Sequence, residues 1–575
     1  MTGALESPTA VGATRTPAPP ADPPPASTPS RAVSVAIGGG ALLLYALGPS
    51  RNFNYADDAL SWAYQLTGTG GIINSHHLFL EPMRWLYRLC NGAGLTINPV
   101  TLLALYSAGW GAAGLVVLYR LLVRAGLGTV AVWGTLFCAF SAGYWCYSIV
   151  GDVYIPATAL MLIGLYFVYA GLRAEQPRAA LRCGAAATVS FVAMLAHHQA
   201  FAVLVLGLLP AVWLMRKPQA PQRRMMFAVA VPMAVCTLAV ALYAAAYASL
   251  PEGDRHGFVR FGAGYVDSFE ARADQKQLGL GSVINLAAGQ TRALVSTNVV
   301  FGNPEVAQTI QDRYPYRAVY PFPYLVRDIP FPVAVLLGIG ALGTVLATAY
   351  LTVRGVWAGC KQRDLGVLVV VPMALQVVFF AWWEGISDEF ALWTLPLLAV
   401  LVAYGAAATG HPLRWLRPLV GALFVTTLAG SVLLYWNPHN DIDAVNDRYV
   451  TSLGGGDVLI GFEDIQSDFR IKLAADTRGF SYLNFFNTGD ARDRAEFDAA
   501  LDAAIRSGAR IHVSPRLTHP PESALVFKES LDPTFASGRA ALLARLRTVP
   551  DIDWLTPAVA PQSYVRLDDG TRTPR

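Results

Sequence analysis

The chain is 575 residues long with mean hydropathy +0.40, and only 14% of its residues are charged. Soluble globular chains carry about 25% charged residues, so this composition excludes an ordinary water-soluble protein. The net charge of +4 is modest and no Lys/Arg-rich patch occurs, so no nucleic-acid partner is expected.

In chain order, the first 31 residues, with "TPAPPADPPPASTPS", are rich in Pro, Ala, Ser and Thr. They cannot bury a core and are expected to form a disordered cytoplasmic tail. The apolar run Ala32–Leu47 is followed by "GPSRNF" rather than a small-residue cleavage site, so it is expected to be a retained first span. Further runs long enough to cross a hydrocarbon core of about 30 Å recur along the chain. They lie at 99–119, 127–149, 153–171, 184–197, 199–215, 225–249, 331–353, 366–383, 390–408 and 417–436, which makes about eleven transmembrane helices with 32–48. The runs 184–197 and 199–215 are short and are expected to meet in a corner. Outer loops are expected at 49–98 and 250–330, and the transmembrane domain is expected to span 32–437.

Every second loop is basic: Arg120 and Arg124, Arg173 with Arg178 and Arg182, Arg216 to Arg224, Arg354 with Lys361 and Arg363, then Arg414 and Arg417. The positive-inside rule puts these at the cytoplasm. The N-terminus is then cytoplasmic, and an odd number of spans leaves the C-terminus outside a plasma (inner) membrane.

From 438 to 575 the pattern changes. "DVLIGF" (Asp457–Phe462) and "ARIHVSP" (Ala509–Pro515) read as short strands. Between them Phe497, Leu501 and Ile505 fall on one helical face, with Ser507-Gly508 as a stop. Strand, helix, strand predicts a small extracytoplasmic α/β domain. The six cysteines are scattered without ligand spacing, so neither a disulfide framework nor a structural zinc is expected.

Charged groups at membrane depth are costly and usually functional, and here they gather on the outer side. "NYADDAL" sets Asp57 beside Asp58. One can accept a proton or hold a metal while the other caps the following helix, or both serve only that helix start. "INSHHLFLEPMRWLYRL" carries His76 and His77 ahead of an amphipathic helix, with Arg84 and Arg88 toward headgroups. "VGDVYIPA" places Asp152 in a turn and "AHHQAF" places His197 and His198 between spans. "AWWEGISDEFALW" sets Glu384, Asp388 and Glu389 inside an aromatic belt. Arg255, Arg260, Arg313 and Arg317 of the long loop could grip a phosphate. Each of these groups also has a plainer reading, as a turn residue, interfacial anchor or packed histidine. Together they suit displacement of a phosphate leaving group from a membrane lipid, with a carboxylate taking the acceptor's proton and a cation neutralising the phosphate.

On these stretches the chain resembles the GT-C superfamily of membrane glycosyltransferases, near the protein O-mannosyltransferase and aminoarabinose-transferase branch. "DDAL" stands where that branch has Asp-Glu, followed by the interfacial "HHLFLEPMRWLYRL", the second-loop acid of "GDVYIPATAL" and the late "WWEGISDEFALWTLPLL". The resemblance covers about 30–440, mostly by topology. It implies an all-α polytopic GT-C-like domain and transfer of a sugar from a polyprenyl-phosphate donor to an envelope glycan, lipid or protein. By it Asp57, Asp58 and Asp152 are expected to be catalytic, and Asp57 and Asp152 to hold a divalent ion (Mg, Mn or Zn). His76, His77, His197, His198, Glu384, Glu389, Arg313 and Arg317 are expected to contact substrate. Asp58 replaces the usual Glu, and the two His-His pairs are not part of the family pattern. The alternatives are a transporter or flippase of lipid-linked glycans, and a non-enzymatic envelope scaffold. Acids at span ends rather than at mid-membrane favour transfer over transport.

Overall fold

The computed structural model describes residues 29–51, 58–68, 78–215, 220–250, 278–296, 330–362, 364–383, 387–436, 447–463, 465–488, 491–520 and 534–555, with 252, 255, 257–259, 261, 303 and 385 besides. The chain is a polytopic helical membrane protein followed by a small α/β domain. Among the described residues, seven helices are long and apolar enough to cross a membrane: Pro99–Arg124, Tyr154–Leu172, Pro177–His197, Pro221–Ser249, Phe331–Gln362, Leu365–Trp383 and Pro412–Val432. Four shorter apolar helices, Arg31–Leu47, Val130–Phe140, Gln199–Leu214 and Thr394–Ala407, coincide with the other predicted runs.

Local chemistry sets the starts. Asn98 accepts the amides of Val100 (2.9 Å) and Thr101 (3.4 Å) through its Oδ1, with Pro99 as first helical residue. Pro177 and Pro412 open their helices in the same way, where a missing N–H costs nothing. Tyr154–Leu172 is apolar all round and is buried along nearly its whole length, as a central helix must be.

Several boundaries differ from the sequence expectation. Pro177–His197 is 21 residues, not short, because small residues carry the helix back through Arg178 and Arg182. Phe331 runs on to Gln362. The run 127–149 is not one helix: it breaks at Ser141, which is extended, into Val130–Phe140 and Ala142–Ser148. Inside a membrane the freed carbonyls need partners. Ser141 Oγ donates to Cys138 O (2.7 Å), Tyr45 OH to Ala139 O (3.1 Å) and Thr427 Oγ1 to Phe140 O (2.9 Å).

The break makes room for a helix within the stretch expected as a loop. Leu280–Leu294 docks against Ala142–Ser148 and Leu365–Trp383. A methyl on Gly143 would stand 2.7 Å from Leu392 Cδ2 and 3.2 Å from Ala293 O, so only glycine permits this approach. Gln290 Oε1 accepts from Thr394 Oγ1 at 2.6 Å, and Ser431 Oγ donates to Ser296 Oγ at 2.8 Å.

The helix ends fall into two groups. One holds the basic residues: Arg120 bonds Ser34, Arg124 bonds Tyr166, Arg173 pairs with Asp364, Arg223 bonds Glu175 O, and Arg354 bonds Ala408 O. The other joins Ser50 to Ile149 (2.9 Å), Arg51 to Tyr435 (2.8 Å) and Phe79 to Ala196 (3.2 Å) through the backbone.

The C-terminal domain has four parallel strands, β1 Val458–Gly461, β2 Ser481–Asn484, β3 Ile511–Val513 and β4 Asp553–Trp554, in the order β2-β1-β3-β4. Val458 pairs with both Ser481 and Ile511. The predicted face of helix Ala491–Ser507 does turn inward, with Phe497 and Leu501 buried and Ile505 partly so, and the helix stops at Gly508 with φ +68°. Its core also takes Phe462, Phe485 and Phe535.

Candidate active site

At the end of the bundle where Ser50 meets Ile149 the turn 149–153 holds Asp152. Ser107 Oγ donates to its carbonyl (2.9 Å) and accepts its amide (3.1 Å), and Asp152 Oδ1 accepts the Tyr154 amide (3.2 Å). Asp152 is 2% exposed. A carboxylate this deep is fixed by its turn rather than by solvent. The Tyr154 ring leans on His198, with centroids 5.0 Å apart. Phe390 stands 5.9 Å from both Tyr154 and His198, and Phe201 closes the group at 5.9 Å from His198. His198 Nδ1 accepts the Ala200 amide at 3.3 Å, so in the neutral ring the proton sits on Nε2.

Phe390 follows Asp388, which is 5% exposed and pairs with Arg292 of the docked helix at 3.0 Å. The rings of Tyr154, two residues past Asp152, and Phe390, two past Asp388 with Glu389 between, thus link His198 to both segments. Arg292, the cation paired with Asp388, was not among the residues singled out from the sequence. Its signal was faint: one Arg near the end of "LGSVINLAAGQTRAL", far along the chain from every acid it could meet.

His197 turns the other way. A carbonyl can only accept, so His197 Nδ1 donates to Ala193 O (2.7 Å) and Nε2 accepts from Tyr106 OH (2.7 Å). Both nitrogens are thereby engaged inside the protein. The ring stacks on Phe79 at 5.0 Å, and Phe79 meets Trp62 edge-on at 5.8 Å. Trp62 belongs to the ten-residue helix Asp58–Thr67, whose first residue is the second acid of the pair. His197 therefore acts on that helix through Phe79.

Arg84 does not reach outward as the amphipathic pattern predicted. It is buried, donates from Nε to Gln65 O (3.2 Å) and pairs with Glu81 (2.5 Å), while Arg88 bonds Gly68 O (3.3 Å). Orphan carbonyls at the end of helix Asp58–Thr67 draw Arg84 inward, whereas Arg88 stays exposed as the amphipathic pattern predicted. Trp85 and Leu89 of the same element, helix Leu80–Gly92, are exposed. Arg255 likewise caps its own helix end through Leu250 O (3.0 Å) and Ala248 O (2.6 Å).

Asp57, His76, His77, Arg260, Arg313, Arg317 and Glu384 lie outside the described residues. Among the described residues no group of three His, Cys, Asp or Glu could hold a metal ion, and Asp152 is the one expected ligand among them.

No protein-family model matches the chain, and no curated protein does. Among solved structures the chain is similar to the apo oligosaccharyltransferase of Archaeoglobus fulgidus, at 14% identity and a TM-score of 0.46, over 80% of this chain and 65% of that one. It thus spans just under two thirds of that protein's length. It is similar also to ArnT of Cupriavidus metallidurans bound to undecaprenyl phosphate, at 11% identity and a TM-score of 0.49, over 79% of this chain and 90% of that one. A third is the archaeal oligosaccharyltransferase AglB of Archaeoglobus fulgidus with an inhibitory peptide and a dolichol-phosphate, at 12% identity and a TM-score of 0.39, over 82% and 68%.

Proposed function

We propose that the chain is a GT-C-type membrane glycosyltransferase. It takes a sugar from a polyprenyl-phosphate donor and places it on an envelope glycan, lipid or protein at the outer face of the plasma membrane. The observation that carries the reading is the linkage, through the Tyr154 and Phe390 rings, of His198 to the turn of buried Asp152 and to the segment of the Asp388–Arg292 pair.

The roles follow from charge. The acceptor hydroxyl attacks the sugar's anomeric carbon, its proton passes to a carboxylate, and the bond from that carbon to the phosphate oxygen breaks with inversion. Asp57 is the base, with Asp58 opening the helix behind it and Asp152 as the second acid. A positioned base contributes about 10²–10⁴-fold. Arg292 is a fixed cation for the departing polyprenyl phosphate, planar and always charged, and Asp388 sets its direction. His198 offers a proton at Nε2. His76, His77, Arg313, Arg317, Glu384 and Glu389 line the approach of donor and acceptor. A divalent ion, held by Asp57 and Asp152, would add charge on the phosphate; no step here depends on it.

The test is transfer from a radiolabelled polyprenyl-phosphate sugar in membranes, wild type against Asp57→Ala at matched protein level, with and without chelator. Label transferred by wild type and lost by orders of magnitude in Asp57→Ala is the expected result. Equal transfer by both reduces the acid pair to a helix start.

A further inference from the structure

The Asp58–Thr67 helix is ten residues long, and a helix that short has no stability of its own. Its place is set by what touches it. Ala59, Leu60, Trp62, Ala63 and Leu66 are buried. Arg84 holds its C-terminal end, and Trp62 holds one flank through Phe79 and His197. The third hold comes from the C-terminal domain. Tyr64 lies against Phe469 of helix Ile465–Arg478 (centroids 5.8 Å), and Lys472 Nζ stands 5.9 Å from the Tyr64 ring and 5.0 Å from that of Phe469.

That second helix is itself tied to the sheet. Lys472 pairs with Asp468 (2.6 Å), Asp468 accepts from Asn484 at the end of β2 (2.8 Å), and Asn484 donates also to Glu463 O beyond β1 (2.8 Å). Glu463 pairs with Arg516 (3.0 Å) and accepts from Ser514 beyond β3 (2.5 Å), and Arg516 returns to Ser467 (2.8 Å). Ligands of open parallel sheets bind at such strand ends. Here Glu463 and Ser514 are fully buried, so the network is a frame rather than an open pocket. It stiffens the contact at Tyr64.

We infer that the C-terminal domain is a positioning element of the transfer site: Tyr64, gripped by Phe469 and Lys472, fixes the angle of the Asp58–Thr67 helix and so the place of its first residue. The inference rests on the glycosyl-transfer reading. Tyr64 is a positioning residue, about 9 Å along the helix from Asp58 at 1.5 Å per residue. Without that hold the helix can tilt about Trp62, and a shift of about 1 Å at a reacting group costs roughly 10²-fold in rate.

The test uses the full chain in lipid nanodiscs, as wild type, Tyr64→Phe, Tyr64→Ala and Phe469→Ala. Transfer kinetics are read beside amide hydrogen exchange over 59–67, with 154–172 as the folding control. Both alanine variants are expected to lose kcat by roughly 10²-fold with KM for the lipid donor unchanged, and to exchange faster over 59–67 alone. Tyr64→Phe keeps the ring and is expected to keep wild-type kcat. Wild-type kcat in both alanine variants overturns the inference, as does an equal loss in Tyr64→Phe. If Tyr64→Ala fails the folding control, Phe469→Ala decides from the opposite side of the contact. If wild type transfers from no donor, the glycosyltransferase reading has failed, and exchange decides the coupling: faster exchange over 59–67 in the alanine variants supports it, and unchanged exchange overturns it.

Discussion

Gly355→Ala is a sharp test of how the helices pack, because the same helix supplies its own control. A methyl on Gly355 would fall on the carbonyl of Leu401, with the carbonyl carbon 2.6 Å and the Leu401 Cα 3.0 Å away. Ordinary contact begins at 3.4 Å, so the two helices must part by at least 3.4 − 2.6 = 0.8 Å. The obstacle is backbone, which cannot swing aside as a side chain can. Gly405 faces Leu351 in the same way across the pair, as small residues do where membrane helices approach closely. Overpacking costs about 1–3 kcal/mol, and a backbone clash belongs at the upper end. Gly340→Ala, earlier on the same helix, meets nothing within 4 Å, and replacing a helical glycine by alanine gains about 0.8–1 kcal/mol. Both glycines lie on this helix and share that gain, so the two variants differ by the clash alone, about 3 kcal/mol, with opposite signs against wild type. The assay is the temperature at which half of the monodisperse protein in detergent is lost on size exclusion. Gly355→Ala should melt lower and Gly340→Ala at or above wild type. Equal melting of the two would refute the close contact between Phe331–Gln362 and Thr394–Ala407.

Other outcomes follow from the site. Asp152→Asn keeps size and turn, so the protein should fold while its transfer rate drops by about 10²–10⁴-fold; an unchanged initial rate removes Asp152 from the chemistry. Arg292→Lys keeps a positive charge near Asp388 but loses the planar fork, and should lower kcat for transfer at unchanged expression. An unchanged kcat removes Arg292 from stabilising the departing phosphate. Arg84→Ala strips a charged cap from Gln65 O, a bond type worth about 1.5–3 kcal/mol, and amides 63–67 should exchange faster. Tyr64 holds its proton above the usual tyrosine value of 10.0, first because it is partly buried and then because Asp476 and Asp468 oppose a negative phenolate. Docking of the C-terminal domain keeps this contribution below about pH 10 and loses it as pH rises through the higher docked value. Limited proteolysis of the domain between about pH 9 and 11 should show that limb, and Tyr64→Phe should flatten it.

The sequence carried the helices well because an apolar run is a physical requirement for crossing hydrocarbon, and each predicted run meets an apolar helix. It did not carry the break at Ser141. Serine and glycine inside an apolar run are compatible with a helix, and what ends this one is three hydroxyl donors, two of them Tyr45 and Thr427 from other helices. Helix Leu280–Leu294 was hidden because its burial depends on Gly143, far off in sequence. In the C-terminal domain β1 and β3 were legible as apolar runs, whereas "SYLN" of β2 and the two residues of β4 have no pattern of their own and are strands only by pairing. The site divides along the same line. Asp152, His198 and Asp388 stand out as polar groups in apolar surroundings, while their being joined by Tyr154, Phe390 and Arg292 is tertiary. His197 and His198 look alike in "AHHQAF", yet one ring stacks on Phe79, which meets Trp62 of the Asp58 helix, and the other lies against Tyr154.

Helix Phe331–Gln362 makes the protein sensitive to bilayer thickness. Its 32 residues include an apolar stretch, 331–353, that spans about 35 Å at 1.5 Å per residue before Arg354, against a hydrocarbon core of about 30 Å. It is the least buried of the seven long apolar helices, so neighbours do little to fix its tilt, and hydrophobic mismatch is relieved by leaning. Gly355 is pinned against Leu401 near one end, which makes that contact a pivot and the Phe331 end the longer arm, along which Ala334 and Ala341 are buried. Thinner membranes lean the arm further, so lipid chain length becomes a mechanical variable of the end of the bundle where the acids gather.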